Sequence, residues 1–156
     1  MTKQHLRGFT LIEIIFFIVV VSLGMTGILM VMNTTVKSSA DPMVSKQTLA
    51  IAESMLEEIL QKGFVDPDGT NAGETGRANW DNVADYNGYT TTGIVDPQGN
   101  AMPGLAAYSL TPAVAVAAAT AADNAALAAI GALKVTVSVT GPSGTIITLV
   151  GYRAGP

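Results

Sequence analysis

A long apolar stretch near the N-terminus, Phe9 to Met32, constrains this chain more than any other feature of its sequence. Glu13 is the only ionisable residue within it. An α-helix rises 1.5 Å per residue, so about 20 apolar residues cross the ~30 Å hydrocarbon core of a membrane. The stretch therefore predicts a transmembrane helix over residues 9–32.

The charges on either side of this stretch predict its direction in the membrane. Lys3 and Arg7 precede it, and only Lys37 follows closely. Because positively charged flanks stay on the cytoplasmic side, the N-terminus is expected in the cytoplasm. The sequence thus predicts a single-pass inner-membrane protein whose globular part, residues 64–156, is periplasmic.

Two other interpretations of the N-terminus fit part of the pattern. A cleavable signal peptide has an acid-free apolar region of about 7–15 residues, followed directly by a small-residue site. The one such site, Ser38–Ala40 before Asp41, lies far beyond the apolar stretch; cleavage there would release an exported soluble enzyme or binding protein. An uncleaved membrane anchor fits the length but leaves Glu13 unexplained.

Glu13 is costly in a membrane unless a positive charge meets it. A carboxylate at the centre of a membrane helix costs about 2.5–3.5 kcal/mol, and less near an interface. Glu13 lies near the cytoplasmic end, where it can reach water. If the chain is cut between Gly8 and Phe9, however, the new α-amine lies one helical turn away. The two charges then neutralise each other, within one chain or between neighbouring helices.

The sequence GFTLIE at residues 8–13, after the basic leader MTKQHLRG, resembles the processing site of type IV prepilins and type II secretion pseudopilins. The resemblance covers about residues 1–30. It implies that residues 1–8 are a leader, cut between Gly8 and Phe9 by a prepilin peptidase that also N-methylates Phe9. It further implies that Glu13 pairs with the amine of a neighbouring subunit during assembly.

Gly24 and Gly27 interrupt the apolar helix. Each glycine lowers helix stability by about 1 kcal/mol relative to alanine. Small residues allow close packing of helices in lipid. The family resemblance implies an alternative, a segment that melts when subunits leave the membrane for a filament. Both interpretations are open at this point.

A second helical pattern follows the apolar stretch. Asp41 and Pro42 suit the N-cap and first position of a new helix, and Gly63 suits the residue beyond its end. Residues 33–63 are therefore predicted as an amphipathic continuation of the first helix, packed on a sheet of the same chain. Its apolar stripe comprises Leu49, Ala52, Leu56, Ile59 and Leu60.

Residues 64–156 combine turn sequences with short β-prone stretches. Asp66–Gly69 and Asp96–Gly99 carry Pro and Gly at the positions where these residues favour a turn. The segment Ala118–Ala132 is alanine-rich and suits either a short helix or a loose connection. The strand patterns are Tyr89–Val95, Tyr108–Ala117, Leu133–Thr140 and Thr145–Tyr152, the last two forming a hairpin.

These patterns predict an α+β fold, with one long N-terminal helix packed on a small antiparallel sheet. Half of that helix is transmembrane and half amphipathic. The family resemblance implies the same arrangement, the lollipop shape of type IV pilins.

The residue inventory excludes several kinds of chemistry. The chain has no Cys, and its single His, His5, lies in the leader, which leaves no zinc site or His-based triad after cleavage. Neither of the glycine-rich nucleotide-binding motifs is present. A net charge of -4 without a concentrated basic stripe disfavours direct nucleic-acid binding. We therefore predict no enzymatic activity.

Calcium is the one ligand that the turn-rich region suggests. An EF-hand loop needs Gly at its sixth position, where Asn71 stands, and the distal Glu is missing. The favoured interpretation is that the aspartates of this region form turns or order the loop around Trp80. Four carboxylates offer oxygen ligands: Asp66, Asp68, Asp81 and Asp85.

The segment Trp80–Tyr89, WDNVADYNGY, is similar to a stretch in one group of minor pilins. This group includes the D-type minor pilin of the mannose-sensitive haemagglutinin (MSHA) pilus. The resemblance implies a structural filament subunit, with a prepilin peptidase, other pilins and an inner-membrane assembly platform as partners. The absence of Cys favours a minor pilin. A pilus for adhesion, twitching or DNA uptake and a secretion pseudopilus are both open.

Overall fold

The computed structural model describes residues 10–70 and 72–155, with only the backbone at residues 30, 31 and 33–41. Within these residues the chain forms two α-helices, two short 3₁₀ turns and a five-stranded antiparallel sheet. This is the predicted α+β class. The elements are α1 (Leu11–Leu60), β1 (Thr91–Thr92), β2 (Ser109–Leu110), β3 (Ala115–Ala118), α2 (Ala121–Ala129), β4 (Leu133–Thr140) and β5 (Ile146–Arg153).

The predicted start of a new helix at Asp41 is wrong, because α1 continues through Pro42. A proline lacks its own N–H bond to the preceding turn and is unfavourable in a helix interior, but it does not always end the helix. The chain nevertheless divides between Asp41 and Pro42 into two compact units. Each unit is described separately below.

In the unit after Pro42, the sheet is organised around β4. Strands β2 and β3 pair with successive parts of β4 on one side, and β5 pairs with its whole length on the other. The alternation predicted for β4 is visible as three fully buried valines, Val135, Val137 and Val139. The predicted β4–β5 hairpin is also present, closed by the bond from Gly144 N to Gly141 O at 2.9 Å.

The C-terminal part of α1 packs on this sheet through part of the predicted stripe. Ala52 and Ile59 are fully buried, whereas the three leucines of the stripe are partly buried. Ile51 and Met55, outside the stripe, are also buried. Two glycines bring the hairpin backbone close to the helix. A Cβ at Gly151 would lie 2.8 Å from Leu60 Cδ1, and one at Gly141 would lie 2.8 Å from Thr48 Oγ1.

Two other predicted segments differ in detail from the structure. The stretch predicted as one strand, Tyr108–Ala117, is divided into β2 and β3 around Pro112, which has no N–H for a sheet ladder. The alanine-rich segment contains α2, kinked at Asn124. Its start is held by Asp123, which accepts a bond from Thr120 N at 3.0 Å and forms an ion pair with Lys134 of β4.

Candidate functional site

The first candidate site is the apolar part of α1. Within the described residues, Leu11–Leu29 is a helix long and apolar enough to cross a membrane, with a mean hydropathy of 2.5. No residue of this span is buried by the described part of the chain; Leu11 and Leu23 are 77% and 70% exposed. Exposed apolar surface of this extent indicates contact with lipid or with another protein.

Glu13 lies in the first turn of this helix. Its backbone N–H donates to Thr10 O at 3.1 Å, and a carboxylate in the first turn interacts favourably with the helix dipole. The predicted cleavage site, Gly8 and Phe9, lies outside the described residues. Pairing of Glu13 with the Phe9 amine therefore stays a prediction.

Gly24 and Gly27 lie on the uncovered surface of the same helix. Apart from the adjacent residues and the backbone of the same helical turns, no described atom lies within 4 Å of a Cβ built at either position, so no described contact requires glycine there. Both residues are helical in this structure. Together with Leu23, Ile28 and Met32 they line a shallow groove.

Polar side chains in the same span satisfy their own hydrogen bonds. Ser22 Oγ donates to Ile18 O at 2.6 Å, and Thr26 Oγ1 donates to Ser22 O at 2.8 Å. Hydroxyl groups bonded to the preceding turn in this way are tolerated in an apolar helix because no donor is left without a partner. These residues are therefore compatible with a membrane-spanning helix.

The second candidate site is an acidic cluster in the loop after α1. Three of the four predicted calcium ligands lie together there, and Glu74 joins them, while Asp85 does not. One oxygen from each of the four lies within 4.8 Å of the others. Sequence spacing could not have found Glu74, because a loop without regular periodicity places its side chains by tertiary contacts alone. The cluster comprises Asp66, Asp68, Glu74 and Asp81.

Two members of the cluster form turns, as the sequence interpretation predicts. Asp66 Oδ1 accepts bonds from Asp68 N at 3.1 Å and Gly69 N at 2.6 Å. Asp68 Oδ1 accepts a bond from Thr70 N at 2.9 Å. Their position is therefore explained by local backbone bonding, whatever else they bind.

Asp85 orders the loop around Trp80, also as predicted. Its Oδ2 accepts a bond from Asn82 N at 3.1 Å, and its Oδ1 accepts a bond from Asn82 Nδ2 at 2.9 Å. Asn82 Oδ1 in turn accepts a bond from Ala84 N at 2.7 Å. This capping box begins the 3₁₀ turn Val83–Tyr86.

The cluster has the electrostatics of a cation site. Asp81 Oδ1 is buried without a hydrogen-bond partner among the described residues. Burial and then repulsion from neighbouring carboxylates, first Asp85 and then Asp81, raise the pKa of Glu74. Carboxylate oxygens are the ligands that calcium prefers. These four residues could hold a calcium ion, and that binding stays a prediction.

A partly buried ion pair that the sequence did not predict ties the loop to α1. Arg77 Nε donates to Glu58 Oε1 at 2.7 Å, and Arg77 Nη2 lies 2.5 Å from Glu58 Oε2. The hydroxyl of Tyr86 donates to Glu58 Oε1 at 2.9 Å, and Arg77 Nη1 donates to Val95 O at 2.8 Å. Glu58 of α1 is thereby joined directly to Arg77 and Tyr86, and through Arg77 to Val95 of the following loop.

Burial and hydrogen bonding oppose each other in this network. Burial alone would raise the pKa of Glu58, but the bonds from Arg77 and Tyr86 outweigh it and hold that pKa below its usual value. Burial and the bond to Glu58 both raise the pKa of Tyr86. Glu58 and Arg77 therefore both carry their charges at neutral pH.

The third candidate site is a cleft beside the same loop, lined by Trp80 and Tyr89. The two rings are perpendicular, with centroids 5.1 Å apart. Trp80 also contacts the fully buried Tyr86 edge to face, at 4.8 Å between centroids, and its carbonyl accepts a bond from Lys62 Nζ at 2.6 Å. The indole is therefore held in place from two sides.

Comparison of the chain with protein-family models, with curated proteins and with solved structures found no match in any of the three. Its function must therefore be inferred from its own residues.

Proposed function

We propose that this protein is a structural subunit, in particular a minor subunit, of a type IV pilin-like filament. The observation that carries the proposal is the helix Leu11–Leu29, which the described part of the chain leaves uncovered and which has a single acid, Glu13, in its first turn. Lipid covers this surface in the inner membrane. In the filament, the same helices of neighbouring subunits cover it.

The charge on Glu13 favours a filament subunit over a simple anchor. Lipid can cover the apolar side chains, but it supplies no positive charge to an embedded carboxylate. Cleavage between Gly8 and Phe9 creates such a charge at the start of the helix. Pairing between neighbouring subunits then offsets the cost of the carboxylate and favours their association.

The unit after Pro42 supports a structural role. Its sheet rests on α1, and the Glu58–Arg77 pair ties the long loop to the same helix. A globular unit whose sheet and long loop are both held on the C-terminal part of α1 suits a structural subunit. The absence of Cys and the single His, His5, in the leader support a role without catalysis.

Partners and location follow from the proposal. A prepilin peptidase cleaves the leader and methylates Phe9, and an inner-membrane platform inserts the subunit among other pilins. The protein is first a single-pass inner-membrane protein with a periplasmic head, then part of a pilus. A type II secretion pseudopilus is the alternative assembly.

An exported soluble protein is the alternative from another class. Its signal peptide would be cut before Asp41, but α1 runs unbroken across Ser38–Asp41. Proteolytic sites are preferentially exposed loops rather than helices. The continuous helix therefore favours the filament subunit.

The mature N-terminus tests the cleavage directly. Intact mass and N-terminal sequencing of the protein purified from its native membrane are expected to show a chain that begins with methylated Phe9. A chain that begins at Met1 would contradict the proposal. A start at Asp41 would support the exported soluble protein instead.

Filament incorporation tests the role of the acid. Glu13→Val is expected to insert and be cleaved normally but to be depleted from sheared filaments by immunoblot, because the neighbouring amine loses its partner. Glu53→Val is the matched control, since Glu53 is an exposed carboxylate further along α1. Equal incorporation of both variants would refute the charge-pairing role.

A further inference from the structure

The cleft around Trp80 has the dimensions of a small-ligand site. It lies in the unit after Pro42, between the 3₁₀ turn Arg77–Asn79 and the turn Asp96–Gly99, and its volume is about 490 Å³. Sites for small ligands are typically about 300–1,000 Å³, with aromatic walls and a few polar groups.

Two aromatic side chains form adjoining walls of this cleft. Trp80 and Tyr89 are both half-buried and perpendicular to each other. Both side chains pack against the hydrophobic core and keep part of their surface accessible. Rigid aromatic rings with one accessible side offer a large apolar contact at little cost in conformational entropy.

The charged side chains of the cleft are already paired within the chain. Arg77 donates to Glu58 and to Val95 O. Asp96 accepts bonds from Asn100 N at 2.8 Å and Asn100 Nδ2 at 2.9 Å, and these bonds lower its pKa. Among the described lining residues, the one cation, Arg77, is neutralised by Glu58, and both oxygens of Asp96 already accept bonds from Asn100, so the cleft fits a neutral ligand better than an anion.

Neutral polar groups of the lining are available for hydrogen bonds. Among the described residues, no hydrogen-bond partner is found for the amide of Gln98, the hydroxyl of Thr75 or the indole N–H of Trp80. Asn79 makes one long bond, from Nδ2 to Thr75 O at 3.3 Å, which leaves its Oδ1 available. This set offers both donors and acceptors, the combination that hydroxyl groups of a ligand can use.

We propose that this cleft binds a neutral saccharide. The apolar C–H face of a pyranose ring packs on the Trp80–Tyr89 walls, and its hydroxyls bond to Asn79 and Gln98. The proposal goes beyond the filament role and does not depend on it, because every group involved lies in the unit after Pro42.

A peptide ligand fits the cleft less well. Extended peptides usually bind by adding a strand to an exposed sheet edge, where their backbone groups find partners. The described residues that line this cleft belong to turns and loops, and none belongs to a strand. A saccharide needs no such edge.

The single tryptophan makes the cleft easy to observe. Trp80 is the only Trp in the chain, so its fluorescence reports on this site alone. The full chain, in phosphocholine micelles that contain no sugar head group, is titrated with maltose, cellobiose and diacetylchitobiose. At least one of these is expected to change the emission of Trp80 saturably. No saturable change with any of the three would overturn the proposal.

Variants separate this site from other surfaces. Gln98→Ala is expected to weaken binding about threefold to tenfold, the loss typical of one neutral hydrogen bond. Gln61→Ala removes an equally exposed amide outside the cleft and is expected to leave the affinity unchanged. Trp80→Phe, read by saturation-transfer NMR on the sugar protons, is expected to reduce the transfer.

Three results would contradict the inference. Unaltered affinity in Gln98→Ala and Trp80→Phe would place binding elsewhere. Tighter binding of a glucuronide than of its neutral counterpart would show that charge dominates. A proline-rich peptide that displaces the sugar with higher affinity would assign the cleft to peptides. A variant that loses sugar binding yet still enters filaments would support the inference and leave the filament role intact.

Discussion

Replacement of Arg77 by methionine tests how the loop is held on α1. The variant keeps an apolar stem of similar length but removes two bonds to Glu58 and one to Val95 O. Loss of one partner from a buried pair costs about 3–5 kcal/mol. The side chains of Arg77 and Glu58 are 11% and 25% exposed, so the pair is only partly buried. We therefore expect a smaller loss of unfolding free energy, about 2–3 kcal/mol.

Urea unfolding of the full chain, followed by Trp80 fluorescence, measures this loss. A slope of about 1–3 kcal/mol per molar urea converts it into a midpoint lower by about 0.7–3 M. Lys134→Met is the control, because Lys134 pairs with Asp123 but is 31% exposed, and a more exposed pair contributes less. An Arg77→Met midpoint no lower than that of Lys134→Met would refute the reasoning.

The pH dependence provides a second check on the same variant. The pKa of Glu58 is lowered in the folded protein, so the pair stabilises the fold above the ordinary value of 4.5 and loses this effect as pH falls through the folded value. Without Arg77, the pKa of the partly buried Glu58 is expected to rise, so this carboxylate takes up its proton at a higher pH. The stability difference between the two proteins should therefore narrow from pH 7 to below pH 4. A constant difference would show that Arg77 acts through packing alone.

Three further predictions concern packing and metal binding. Gly151→Ala is expected to lower stability by about 1–3 kcal/mol in urea unfolding, because its Cβ would lie 2.8 Å from a leucine of α1; an unchanged midpoint would contradict that contact. Ile59→Ala should cost about 2–5 kcal/mol by the same assay, since Ile59 is fully buried, and a smaller loss would argue against this core. Calcium is expected to raise the thermal midpoint of the native chain but not of Asp81→Asn, and an equal rise in both would exclude the acidic cluster.

Strong local patterns predicted much of the fold. The alternation of β4 and the turn after it predicted the hairpin, and the apolar stripe predicted part of the buried face of α1, including Ala52 and Ile59. The division of the segment at Pro112 into two strands was missed, because a single β-prone stretch does not show which part of a neighbour each half pairs with. The continuation of α1 through Pro42 was missed because cap preferences are weaker than the continuity of a long helix.

The acidic loop shows the same limit at the level of a site. Turn formation by Asp66 and capping by Asp85 are local, and the sequence predicts both. Glu74 joins the cluster only because the loop folds back on itself, and no residue spacing encodes that approach. The Arg77–Glu58 pair likewise joins residues from separate elements.

The apolar span with its single acid and the α+β class were predictable from the sequence, because hydrophobic periodicity and charge placement act over neighbouring residues. Three features emerge only in the folded chain: the meeting of the carboxylates, the attachment of the loop to α1 through Arg77 and Glu58, and the cleft that Trp80 and Tyr89 share. These depend on contacts between distant parts of the chain, where packing and burial select one arrangement among many that the local sequence permits.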